Sequence, residues 1–95
     1  MPAYLIASVT VTDPEKYAGY MALTPGAIAA YGGRFVVRGG AHEVVEGRWP
    51  GSRNVVIEFP DLATAKRFFA SPEYASAREQ RQGAADFNAI VVDGV

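Results

Sequence analysis

The sequence predicts an α+β domain: one antiparallel sheet of four strands, with helices on one face. Three observations carry this. Apolar residues alternate with period two over four segments and repeat near 3.6 over the segments between them. These segments follow one another as strand, helix, strand, strand, helix, strand. The helical segments open at Asp13-Pro14, Asp61 and Ser71-Pro72, and glycines at Gly32-Gly33 and Gly83 close the first and last.

Residues 3–11 are apolar and β-branched, with Leu5, Ala7, Val9 and Val11 on one face and Tyr4, Ile6, Ser8 and Thr10 on the other. Both faces carry apolar groups, which suits a central strand covered on two sides. Asp13 then caps free N–H groups, Pro14 needs no donor at the first helical position, and Glu15 complements the positive end of the dipole. The stripe Tyr17, Tyr20, Met21, Thr24, Ala27, Ile28, Tyr31 marks the buried side of this helix. Pro25 leaves the Met21 carbonyl without its N–H partner, so a kink is expected, or a restart with Thr24 as a second cap.

The stretch from Gly32 to Trp49 reads as one long strand bent by a bulge at Gly39-Gly40. Phe35 and Val37 share one of its faces; Arg34, Val36 and Arg38 share the other. His42 to Trp49 continues the strand, and Pro50-Gly51 turns a hairpin into the strand Asn54 to Phe59. That register sets Val45 near Ile57 and Glu43 near Phe59. Val55, Ile57 and Phe59 form one face of the return strand, Val56 and Glu58 the other. Asp61 caps a helix with the stripe Leu62, Ala65, Phe68, Phe69. Ser71-Pro72 restarts it as a short helix with Tyr74, Ala77, Arg78 and Arg81 on one side, and Phe87 to Val92 is the last strand. The order is that of the split βαβ, or ferredoxin-like, plan.

Ninety-five residues make one domain, 1–95. A chain of this size buries roughly 60–68% of its unfolded surface, so a second subunit would thicken a thin core. The net charge of −1 and the scattered Lys and Arg exclude a basic footprint for nucleic acid. The chain has no cysteine, which removes disulfides, thiolate metal sites and cysteine nucleophiles. Its start shows no signal-peptide pattern and no run reaches the roughly 20 apolar residues of a membrane helix, so the expectation is a soluble cytoplasmic protein.

A homodimer is expected. Helices cover one sheet face only, and the apolar residues of the other need a partner. In the hairpin register residues 33–40 also overrun the third strand and leave a free edge. A second copy across a two-fold axis satisfies both, with the two sheets facing each other or closing into a barrel.

Asp13-Pro14 with Tyr17 and Tyr20, Tyr31-Gly32-Gly33, Arg38-Gly39-Gly40, Glu46-Gly47, Glu58-Phe59-Pro60, Ala65, Ser71-Pro72-Glu73-Tyr74 and Arg81 occur in order over almost the whole chain. This set resembles the domain of unknown function 1330 family. The resemblance implies a ferredoxin-like fold of the dimeric α/β-barrel superfamily. That superfamily includes cofactor-free oxygenases, haem-degrading enzymes, isomerases and dehalogenase-like proteins. The family has no agreed activity, so the resemblance implies a fold and not a reaction. Arg48 stands where the family often has an acidic residue.

The candidate site residues follow from chemistry. Arg38, beside two glycines, is placed to fork onto a carboxylate ligand that approaches the backbone; otherwise it pairs with Glu46 or Glu58. Tyr74 and Arg81, one helix face apart by two turns, are candidates to hold a small anion near the helix start; otherwise Tyr74 is a core aromatic and Arg81 pairs with Asp86 or Glu58. Glu58, if on an internal face, is a candidate general base; more often such a group is an arginine partner. His42 is the one histidine, a candidate proton shuttle, and alone it cannot build a metal site. Trp49 is a candidate hairpin or dimer anchor. Pro2, once Met1 is removed, would be a secondary amine of the kind tautomerases use as a base. The leading expectation is a dimeric barrel that binds a small anionic or aromatic molecule and performs, if anything, cofactor-free oxygenation or isomerisation. The alternative is a non-catalytic ligand-binding or structural dimer.

Overall fold

In the computed structural model, which describes residues 1–95, the chain runs β1 (Ala3–Val11), α1 (Pro14–Ala30), β2 (Arg34–Arg38), β3 (Arg53–Phe59), α2 (Leu62–Phe69), α3 (Pro72–Gln80) and β4 (Ala85–Asp93). The strands form one antiparallel sheet in the order β2-β3-β1-β4. This is the ferredoxin-like plan, with its second helical stretch divided between α2 and α3. No helix is long and apolar enough to cross a membrane.

β1 is central: Leu5 faces Ile57 on one side and Val91 on the other. Its odd residues Leu5, Ala7 and Val9 are buried in one core with Tyr17, Tyr20 and Ile28 of α1 and Phe68 of α2. Its even residues Tyr4, Ile6 and Thr10 are only half-buried, so the second cover expected over β1 does not come from this chain.

α1 begins where expected, with the Asp13 carboxylate accepting from the Lys16 N–H at 3.2 Å. It runs unbroken through Pro25, and Thr24 starts no second helix. The reason is local. The Thr24 hydroxyl donates to the Met21 carbonyl at 3.4 Å, the acceptor that Pro25 leaves without an N–H. Gly32, at φ +70°, ends the helix, and the Gly33 N–H reaches back to the Ile28 carbonyl at 3.0 Å. Gly33 is needed for space: a Cβ there would lie 2.6 Å from the Phe59 ring and 2.8 Å from Ile28 Cγ2. Gly33→Ala is therefore expected to cost about 1–3 kcal/mol by overpacking. An unchanged urea midpoint would show that the strand shifts freely instead.

One hydroxyl serves both helices at the α2–α3 junction. Ser71 Oγ donates to the Phe68 carbonyl at 2.6 Å and accepts from the Tyr74 N–H at 3.1 Å, closing one helix and capping the next. At the head of α2, Asp61 accepts from the Thr64 N–H at 2.7 Å. Hydrogen bonds from Thr64 hold its carboxyl below the ordinary value.

The second strand departs from expectation. β2 ends at Arg38, and residues 39–52 form an exposed connection rather than a continued strand. The expected hairpin register is replaced: Phe35, not Val45, faces Ile57, and Arg38 faces Val55. Two causes are visible. The outer edge of β3 is already filled by Arg34–Arg38. The run Glu43-Val44-Val45-Glu46 does not alternate, so pairing it would bury no consistent face. The bulge also moves. It falls between Phe35 and Val37, leaving Val36 as the extra residue, and not at Gly39-Gly40. One extra residue reverses the parity after it. Arg38 therefore shares the helix-side face with Phe35, and its guanidinium carbon lies 4.3 Å from the Phe35 ring centre. The overrun of residues 33–40 does not exist, and with it goes that argument for a dimer.

The other argument gains detail. Pairing sets Val37 opposite Val56, Val56 opposite Ile6, and Ile6 opposite Ile90. These four make an aliphatic row across the whole helix-free face, with Ile90 59% exposed.

Candidate functional site

Between α1 and the sheet lies a small cavity of about 30 Å3. Leu5 and Ala7 of β1 and Val55 and Ile57 of β3 form its floor. Tyr17, Tyr20, Met21, Thr24 and Ile28 of α1 form its roof, and Phe35, Phe68, Tyr74 and Phe87 close its sides. The walls follow from the two periodicities already described: odd strand positions and the α1 stripe meet here. Arg38 and Arg53 are its charged residues.

Neither arginine meets a carboxylate. The one ion pair in the chain joins Arg34 and Glu58 at 3.3 Å. Arg38 is exposed, and Arg53 is half-buried with its Nε–H inside and unpartnered. Gly39, at φ +68°, lets the Arg53 guanidinium pass, since a Cβ there would overlap it. The Arg53 guanidinium also lies near Tyr17. Burial pushes the Tyr17 hydroxyl up, and Arg53 and Arg81 pull it back only in part.

Tyr74 is buried, and its hydroxyl sits 2.8 Å from that of Tyr20. Burial, then the neighbouring Tyr74, raises the Tyr20 pKa. Arg81 donates to the Tyr74 oxygen at 3.4 Å and stacks its guanidinium 3.8 Å from the Phe87 ring centre. It pairs with neither Asp86 nor Glu58. A guanidinium only donates, and each phenol brings one proton. The three groups therefore hold one phenolic proton more than their mutual bonds use.

Glu58 is placed elsewhere. It shares the helix-free face with Val56, pairs with Arg34, and accepts weakly from the Tyr4 hydroxyl at 3.5 Å. Its partner is an arginine, but neither Arg38 nor Arg81. His42 lies on the exposed 39–52 connection beside Glu43, Val44 and Trp49, not on the cavity. Trp49 anchors no two-residue hairpin; its indole N–H donates to Asn54 Oδ1 at 2.7 Å. Pro2 lies off the cavity, its carbonyl bound by the Gly94 N–H at 2.8 Å. No three His, Cys, Asp or Glu side chains converge as metal ligands. The structure thus brings Arg38 and Tyr74 to one cavity, with Arg81 behind Tyr74.

Sequence reasoning missed Arg53 and Tyr17 as site residues. For Arg53 the signal was present: it has the same strand parity as Val55, Ile57 and Phe59. Starting the strand at Asn54, one residue late, hid that parity.

The family described as Domain of unknown function (DUF1330) matches residues 2–95. Among curated proteins none matches. Solved structures share the fold. A protein of unknown function from Rhodopseudomonas palustris has TM-score 0.78 at 21% identity, covering 99% of this chain and 82% of that one. SnoaB, a cofactor-independent oxygenase from Streptomyces nogalater, has TM-score 0.65 at 15% identity, covering 99% and 93%. A dimeric ferredoxin-like protein of unknown function from Jannaschia sp. has TM-score 0.66 at 12% identity, covering 99% and 100%. At these identities the likeness is one of fold.

Proposed function

The chain belongs to the DUF1330 family, and from that premise we propose that it is a homodimer whose subunits each bind a small anionic or aromatic organic molecule at the mouth of the cavity under α1. One observation carries the ligand reading: Arg38 reaches a mainly apolar cavity, as does Arg53, with no carboxylate to neutralise it. A guanidinium beside aromatic walls suits a ligand with a carboxylate and an apolar body. Arg38 forks onto the carboxylate, Tyr74 hydrogen-bonds it, and Arg81 sets the Tyr74 oxygen from behind. The aliphatic row on the helix-free face supports the dimer, as does the dimeric state in the description of the Jannaschia neighbour. The cysteine-free composition suits the cytoplasm.

The chemistry, where there is any, is cofactor-free oxygenation or isomerisation, a reading that the oxygenase neighbour supports only at the level of fold. A second reading, a binding protein without catalysis, also has an observation in its favour. The cavity lining includes no carboxylate and no imidazole, and Glu58 and His42 lie away from it, so the protein brings no ordinary general base to the ligand.

The test is thermal unfolding across a panel of small carboxylic acids at millimolar concentration. Wild type is expected to gain stability with some of them, and Arg38→Ala to bind them about tenfold or more weakly. A wild type indifferent to the whole panel removes the cavity reading.

A further inference from the structure

Two charged residues reach the cavity, and the reading above uses one. We propose that Arg53 is the second arm of the site, so that Arg38 and Arg53 together seat the carboxylate group of a small monocarboxylic acid, with the Tyr17 hydroxyl as a further donor. This rests on the cavity reading and narrows it.

Backbone register puts the two arginines together. Arg38 pairs with Val55, and the next N–H, that of Gly39, donates to the Asn54 carbonyl at 2.8 Å. Arg53 follows one row on, with the parity of Val55 and Ile57, and so on the helix-side face that the β2 bulge gives to Arg38. Neighbouring strands thus carry guanidiniums in adjacent rows of one face. Like charges so placed repel, and the usual remedy is a shared carboxylate. None is supplied: the ion pair of the chain is on the opposite face. The nearby phenols do not substitute. Tyr17 and Tyr20 are both held protonated by burial, so they add donors and no negative charge.

The bonding ledger points the same way. The Arg53 Nε–H is buried with no acceptor, and the Tyr20–Tyr74 pair has a proton to spare. The site has donors in surplus, and its missing member is an acceptor. The enclosed space is small, about 30 Å3, so a planar carboxylate head fits it better than a tetrahedral phosphate. The exposure of Arg38 marks the side on which the rest of the acid leaves. Gly39 completes the arrangement, because any side chain there would displace the Arg53 guanidinium.

The test is titration by NMR of wild type, Arg53→Gln and Arg38→Gln. The probes are acetate and benzoate, each beside its uncharged amide, and inorganic phosphate. Wild type is expected to favour each carboxylate over its amide by about tenfold or more, and over phosphate, and Arg53→Gln to lose that preference. A preference that survives in Arg53→Gln but falls in Arg38→Gln overturns the role of Arg53 and leaves the cavity reading standing. Amides or phosphate bound as well as carboxylates overturn the carboxylate seat, again leaving a small-molecule cavity. No probe bound by wild type overturns both. If Arg53→Gln does not unfold cooperatively, Arg53→Lys is titrated in its place. It keeps the charge and loses the fork, so unchanged carboxylate affinity there overturns the proposal.

Discussion

Ile90→Asp is expected to turn the proposed dimer into a folded monomer, read as a halving of mass by light scattering at micromolar concentration. Ile90 sits on the edge strand β4, in register with Ile6 and, through it, with Val56 and Val37. In one subunit it is 59% exposed, so aspartate there costs the monomer little. In a dimer formed through this face the carboxylate would be buried against apolar side chains. The desolvation penalty for such a charge is on the order of several kcal/mol per ion, and each interface would carry two. Far-ultraviolet circular dichroism should be unchanged. A wild type that is monomeric would end the dimer proposal. A variant that stays dimeric would move the interface to another surface, such as the 39–52 connection with its exposed Val45 and Trp49.

Phe68→Ala is expected to be the most destabilising single change. Phe68 is fully buried. Its ring lies 5.0 Å from that of Phe59, 4.8 Å from Tyr74 and 6.0 Å from Tyr31, so it joins β3, the residue that closes α1, and α3 through one contact group. Truncation of such a side chain costs about 3–5 kcal/mol, because the surrounding rings do not collapse into the space. A domain of this size has about 5–15 kcal/mol in all. At about 4–8 °C per kcal/mol, the Tm should fall by more than about 12 °C. A drop of only a few degrees would mean that the aromatic cluster repacks and is not a rigid support for the cavity. Phe68 also lines that cavity, so the variant should lose ligand-induced stabilisation as well.

Local chemistry was legible along the chain. The caps at Asp13, Asp61 and Ser71 are the ones found, Gly32 takes the left-handed backbone that ends α1, and Gly83 takes it in the turn that follows α3. The alternation in β1 and β3 and the stripe of α1 identify the core face correctly. These succeed for one reason: each is a contact between residues a few positions apart, so sequence spacing and spatial spacing coincide.

Long-range pairing decided the rest. The segment 41–50 has enough valine to look like a strand, but an edge strand exists only where a neighbour has free backbone groups, and β3 had already given its outer edge to Arg34–Arg38. The bulge at Val36 followed from that pairing, and no glycine marks it. One extra residue then carried Arg38 from the helix-free face to the cavity, while Glu58, read as its possible partner, stayed behind with Arg34. Spacing along the chain determined the helices with their caps and the inward faces of β1, β3 and α1. Only the tertiary structure decided which arginines meet in the cavity, because strand register is set by packing between segments distant in sequence, and a shift of one residue exchanges the two faces of a strand.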